Sequence, residues 1–251
     1  MPEPKIRILL LFLQSVRPNL PCGLLQEHGL MLGAGGRQPA KSYNTMKKIV
    51  FATANSHKVR EAAEILGPGF EILTAAQAGI TEEIPETGET LGENSLQKAL
   101  YLWERLGCDC FADDTGLEVD ALGGAPGVYS ARYAGPEHSF SANMEKLLRE
   151  MEGATDRRAR FRTVVTLIIG GERHVFEGQV CGRISEQETG NGGFGYDPIF
   201  VPDEFPLPDG TIVPNDRGLS FSEMTDGQKN AISHRGRALR AMALWLGSRT
   251  K

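Results

Sequence analysis

Phe111-Ala112-Asp113-Asp114-Thr115-Gly116 places two neighbouring carboxylates behind a short apolar run. The run predicts a buried strand and the Thr-Gly pair a turn, which puts both acids at a strand end. Ligands gather there in open α/β sheets, because the loops beyond the strands are free of core packing. Adjacent carboxylates repel and are costly to desolvate, so such a pair ordinarily shares a cation, an arginine or a proton. The competing expectation is a solvated turn in which Asp114 or Thr115 caps the next element.

Upstream, residues 47–53 (KKIVFAT) predict a β-strand that runs into Thr53-Ala54-Asn55-Ser56-His57-Lys58. Val59, Ala62, Ala63 and Leu66 then recur at helical spacing, with Asn55 or Ser56 as N-cap and Gly67-Pro68-Gly69 as the stop. Such a junction aims unpaired backbone N–H groups past the strand end, which suits a phosphate, and Lys58 adds a positive charge. An ordinary capped junction explains the same residues. No P-loop and no dinucleotide fingerprint occurs, so neither a standard ATPase nor a dehydrogenase is supported. Residues 70–73 predict a second short strand. Thr90 and Glu93 have capping-box spacing for a helix to about Leu106, with Leu96, Ala99, Leu100 and Trp103 as its buried face. Glu86, Glu89 or Glu93 can complete an oxygen-rich metal site with the Asp pair; magnesium takes one or two carboxylates and keeps room for phosphates.

Downstream, the dense Gly and Pro of residues 123–127 predict a tight loop beside Arg132. Met144, Leu147, Leu148 and Met151 mark a helix. Residues 161–169 and 174–184 predict two strands joined by a Gly170-Gly171 hairpin, so the sheet is mixed. Four glycines around Phe194 and Tyr196 let a flat ligand reach backbone and ring, with Asp197 as acceptor. Residues 202–219 predict a surface excursion. Thr225 and Gln228 start a helical C-terminal segment carrying Lys229, His234 and Arg235, suited to phosphates or base carbonyls.

A chain of 251 residues with 40% hydrophobic and 24% charged residues is an ordinary globule able to bury a core. Its net charge of −5 argues against a broad nucleic-acid surface. Cys22, Cys108, Cys110 and Cys181 lack zinc spacing and predict reduced thiols of a cytoplasmic protein. Residues 1–45 follow another pattern. Their apolar run at 8–13 is too short to span a bilayer, and they are expected to be a disordered or dispensable leader before a folded domain at 46–251.

Five ordered blocks together resemble the Ham1-like inosine/xanthosine triphosphate pyrophosphatases: TANSHK at 53–58, ETGETLGEN at 86–94, ADDTGLEVDALGGAPGVYSARYAG at 112–135, GGFGYDPIF at 192–200 and NAISHRGRAL at 230–239. The resemblance covers about residues 46–247. It implies an elongated α/β fold with a mixed twisted sheet flanked by helices, two lobes and a central cleft. It also implies Mg²⁺-assisted hydrolysis of ITP, dITP and XTP to monophosphate and pyrophosphate. Asp114 would be the catalytic carboxylate and, with Glu86, a metal ligand. Thr53, Ala54, Asn55, Ser56, His57 and Lys58 would hold the triphosphate and sugar, and Thr115 would add a substrate contact. Phe194, Gly195, Tyr196, Asp197, Lys229, His234 and Arg235 would hold base and phosphates. The family implies a homodimer acting on a small molecule, with no nucleic acid or membrane. The leader and a long 202–219 segment depart from its pattern. The alternatives are a purine-nucleotide-binding regulator without turnover and a general metal-dependent phosphatase.

Overall fold

The computed structural model describes residues 46–249; the leader expected at 1–45 lies outside them. The described chain begins with β1 (Lys47–Phe51), α1 (Ser56–Leu66) and β2 (Phe70–Thr74), then α2 (Leu91–Leu106) and β3 (Cys110–Val119). A two-residue β4 (Pro126–Gly127) and α3 (Phe140–Glu150) lead to the long strands β5 (Arg158–Ile169) and β6 (Glu172–Ile184). The short strands β7 (Phe200–Pro202), β8 (Glu204–Pro206) and β9 (Ile212–Pro214) precede α4 (Asp226–Ile232) and α5 (His234–Ser248).

The main sheet runs β2-β1-β3-β5-β6-β7, with β4 added to β3. β1 lies parallel to β2 and β3, and the other pairings are antiparallel. This is the mixed, helix-flanked α/β sheet that the sequence led one to expect. Gly170 (φ 57°) and Gly171 (φ 84°) join β5 to β6, supplying the two positive φ angles of a tight hairpin turn. The predicted caps also form: the Asn55 side chain accepts from the His57 and Lys58 N–H groups, and Thr90 and Glu93 make a reciprocal box. Phe51 stacks on Phe111 at 4.2 Å, tying β1 to β3 beneath α1 and α5.

Four expectations change. The Asp pair is not at a strand end, because β3 continues to Val119 and pairs with β5 throughout. Gly116 serves close approach rather than a turn: a Cβ there would lie 2.6 Å from the Gly127 carbonyl oxygen. One edge of this stretch is nonetheless open. β1 pairs with β3 only at Cys110 and Phe111, and β4 only at Leu117 and Glu118, so on that edge residues 112–116 pair with no strand among the described residues. Second, the C-terminal segment is two helices divided at Ser233, which ends α4 and caps α5. Third, the buried face of α2 includes Asn94, Ser95 and Lys98, whereas Leu96, Leu100 and Trp103 are half-buried. Fourth, the surface excursion contains the β8–β9 ladder, anchored by Arg237 on Glu204 at 2.6 Å.

Candidate active site

Successive residues of a strand point to opposite faces, and this separates the Asp pair. Asp113 faces α1 and α5. Its Oδ1 accepts from Lys58 Nζ and its Oδ2 from Arg235 Nε, each at 2.9 Å, and its side chain is 1% exposed. Burial alone would raise its pKa, but the charges of Lys58, Arg235 and Lys98 outweigh burial and hold it well below the usual carboxylate range. Arg235 also reaches Glu61 of α1 at 3.3 Å. Burial lowers the Lys58 pKa despite its ion pair, with Arg235 and Lys98 adding to the effect.

Asp114 faces α2. Its Oδ2 accepts from Asn94 Nδ2 at 3.2 Å and its Oδ1 from Lys98 Nζ at 3.3 Å. The same ammonium is bound by Glu86, which lies on the loop before α2. Asn94 also accepts from the Gly88 N–H at 2.7 Å, so one buried amide ties the Asp114 carboxylate to the loop carrying Glu86. Burial, reinforced by Glu86 and opposed by Lys98, raises the Asp114 pKa. The opposite cause acts on Lys98: burial disfavours its charge, but Asp114, Asp113 and Glu86 together raise its pKa.

Two carboxylates converging on one positive charge form a donor set for a hard divalent cation. No group of three or more His, Cys, Asp or Glu side chains converges among the described residues. A pair suits an ion that keeps several waters and takes phosphate oxygens, as Mg²⁺ does.

On the Asp113 side a cleft of about 590 Å³ opens between the start of α1, the middle of β3, the glycine-rich loop and the α4–α5 corner. Phe194 stands at its wall 47% exposed, with Lys229 Nζ 4.2 Å from the ring centroid. Asp197 binds Lys229 at 2.5 Å and accepts from the Phe194 N–H at 2.8 Å, which fixes the loop. His234 stacks on Phe161 at 4.8 Å, and its buried Nδ1 has no hydrogen-bond partner among the described residues. Burial, with Arg235 and Lys229 nearby, lowers its pKa well below the ordinary histidine value.

The model of the Ham1 family matches residues 49–245 of this chain. The chain belongs to the Ham1 family. A dITP/XTP pyrophosphatase of Christiangramia forsetii is 47% identical over 199 residues, 79% of this chain and 98% of that protein. One from Bacillus subtilis is 43% identical over 202 residues, 79% of this chain and 96% of that protein. Among solved structures, the Ham1 protein of Staphylococcus aureus superposes with a TM-score of 0.71 at 36% identity. It covers 81% of this chain and all of the other. A nucleoside-triphosphatase, dITP/XTP pyrophosphatase, of Mycobacterium abscessus gives 0.62 at 38% identity, covering 78% and 98%.

In this Ham1-family chain the cleft gathers Asn55, His57, Lys58, Thr115, Phe194, Gly195, Tyr196, Asp197, Lys229, His234 and Arg235. Thr53, Ala54 and Ser56 do not line it; Thr53 Oγ1 accepts from the Asn55 N–H at 3.1 Å and shapes the turn. Asp114 and Glu86 lie together with Lys98 across the sheet from the cleft. Sequence reasoning missed Glu61, Asn94 and Lys98. For the last two the helical pattern gave no signal, since Asn94 and Lys98 fall opposite the stripe of Leu96, Ala99, Leu100 and Trp103 and so read as solvent-facing.

Proposed function

We propose that this chain hydrolyses noncanonical purine nucleoside triphosphates, ITP, dITP and XTP, to the monophosphate and pyrophosphate. The observation carrying this reading is the pair Asp114 and Glu86 converging on Lys98, set back to back with a cationic, aromatic cleft. The names of the relatives above point the same way.

Within the reading, the backbone N–H groups at the start of α1 and the Lys58 ammonium hold phosphates. The base stacks on Phe194, and Arg235 donates to its O6. Adenine presents an amino group there, so a donor would face a donor, at a cost of about 1–3 kcal/mol. Guanine shares O6 and needs exclusion elsewhere. The phosphate chain passes from the cleft along the unpaired edge of residues 112–116 to the Asp114 side of β3. There Asp114 takes a proton from the attacking water, a task suited to a carboxylate whose pKa burial has raised. The water oxygen bonds to the α-phosphorus as the bond to the bridging oxygen breaks, and pyrophosphate leaves. Lys98 keeps Asp114 and Glu86 together against their mutual repulsion. A divalent cation, Mg²⁺ by its donor preference, would be held by Asp114 and Glu86 and would supply charge withdrawal from the phosphate oxygens. A homodimer and a cytoplasmic location belong to the same proposal; no helix among the described residues is long and apolar enough to cross a membrane.

The test is incubation with ITP or ATP and Mg²⁺, followed by identification of the phosphate product. Pyrophosphate from ITP with little ATP turnover is expected. Orthophosphate would favour the general phosphatase, and binding without turnover the regulator.

A further inference from the structure

The reaction as described gives Asp113 no task. Its position excludes the obvious one. It points away from Asp114 and Glu86, and both of its oxygens are occupied, Oδ1 by Lys58 and Oδ2 by Arg235. To bind a metal it would have to abandon two buried ion pairs. The two cations it holds come from different helices, α1 and α5, and Glu61 of α1 closes the chain of alternating charges on the far side of Arg235. Lysine and arginine side chains are long and lose much rotamer freedom when a ligand fixes them. An internal anion that fixes them beforehand removes that cost from binding and sets the distance between them.

We infer that Asp113 is a positioning residue, one carboxylate that presets Lys58 for the phosphate end of the nucleotide and Arg235 for its base. This rests on the functional reading above and deepens it, since it makes base discrimination depend on a residue that touches neither base nor phosphate. Neutralising Asp113 leaves both cations in the cleft and takes away their anchor. Attraction for a bare polyanion survives or increases, while recognition of a nucleotide of defined length declines. A purely structural residue would show both declining together.

The experiment is steady-state kinetics of the full chain on ITP and ATP, with inorganic pyrophosphate as inhibitor, for wild type, Asp113→Asn, Arg235→Gln and the double variant. For Asp113→Asn, kcat/KM on ITP is expected to fall on the order of 10–100-fold, mostly through KM, and the preference for ITP over ATP to shrink. Pyrophosphate should inhibit at least as strongly as in wild type. Arg235→Gln should cost the Asp113→Asn chain less than it costs the wild type, the mark of residues acting through one another. Additive losses, unchanged discrimination, or loss of pyrophosphate inhibition in step with ITP would each overturn the inference. Where Asp113→Asn does not fold, Asp113→Glu takes its place in the same cycle, because the longer side chain keeps the charge and shifts the anchor. Absence of ITP turnover in the wild type sinks the functional reading along with this inference. Turnover with an additive cycle sinks the inference alone.

Discussion

The two faces of β3 carry the same side chain one residue apart and treat it in opposite ways. On the α1–α5 face, Asp113 is sealed and bound by two cations, and its pKa is driven down. On the α2 face, Asp114 meets one ammonium shared with Glu86, keeps 12% of its side chain exposed, and its pKa is driven up. The difference lies in the count of partners, since both residues are desolvated. Two full positive charges overcompensate burial, and half of one does not. A carboxylate held strongly anionic makes an anchor; one whose charged form burial disfavours makes a proton acceptor.

The sharpest way to break this contrast is substitution of each acid in turn. Asp114→Asn should lower kcat by about 10²–10⁴-fold with little change in KM, as loss of a general base does. Near-normal turnover would remove Asp114 from that role. Lys98→Met comes next. Lys98 opposes the rise in the Asp114 pKa, so its removal should raise that pKa further. Asp114 works ionised, so turnover is lost as the pH falls through its pKa. The acid limb of kcat should therefore move to higher pH than in wild type. An unmoved limb would mean that the limb reports another group. Phe194→Ala should raise KM about tenfold or somewhat more, the worth of one base–ring stack, and leave kcat nearly unchanged. A loss in kcat alone would place the base elsewhere.

The smallest effect concerns stability. A carboxyl with a depressed pKa in the folded state contributes stability that is present above its unfolded value, about 3.9 for aspartate, and is lost as the pH falls toward the folded value. The melting temperatures of wild type and Asp113→Asn should therefore differ most at neutral pH and converge on acidification below about 4. A gap that stays constant with pH would show that Asp113 contributes by shape rather than charge.

Local signals made much of this readable beforehand. Thr90 and Glu93, Asn55, and Gly170-Gly171 each act within a few residues, and each formed as expected. What stayed hidden depends on partners far along the chain. Thr115-Gly116 reads as a turn until Arg162 and Thr163 of β5 are seen pairing with it. Lys98 reads as a solvated helix charge until Glu86 and Asp114 are seen around it. The five family blocks named most of the cleft residues. They did not say that the neighbouring acids face apart, and only the alternation of a continuous strand does so.

Ser233 has a consequence for how this chain tolerates change. Its N–H binds the Lys229 carbonyl at 2.8 Å, and its hydroxyl accepts from the Gly236 N–H at 3.0 Å, so one residue closes one helix and opens the next. A Cβ on Gly236 would lie 2.5 Å from the Asn230 carbonyl oxygen, which leaves the corner no slack. Lys229 and Arg235 therefore stand on two arms of a rigid bracket. One residue inserted at the bend would swing the second arm by roughly 100° about its axis and carry Arg235 off its anchor. The same insertion in the turn between β8 and β9 would only lengthen a surface loop.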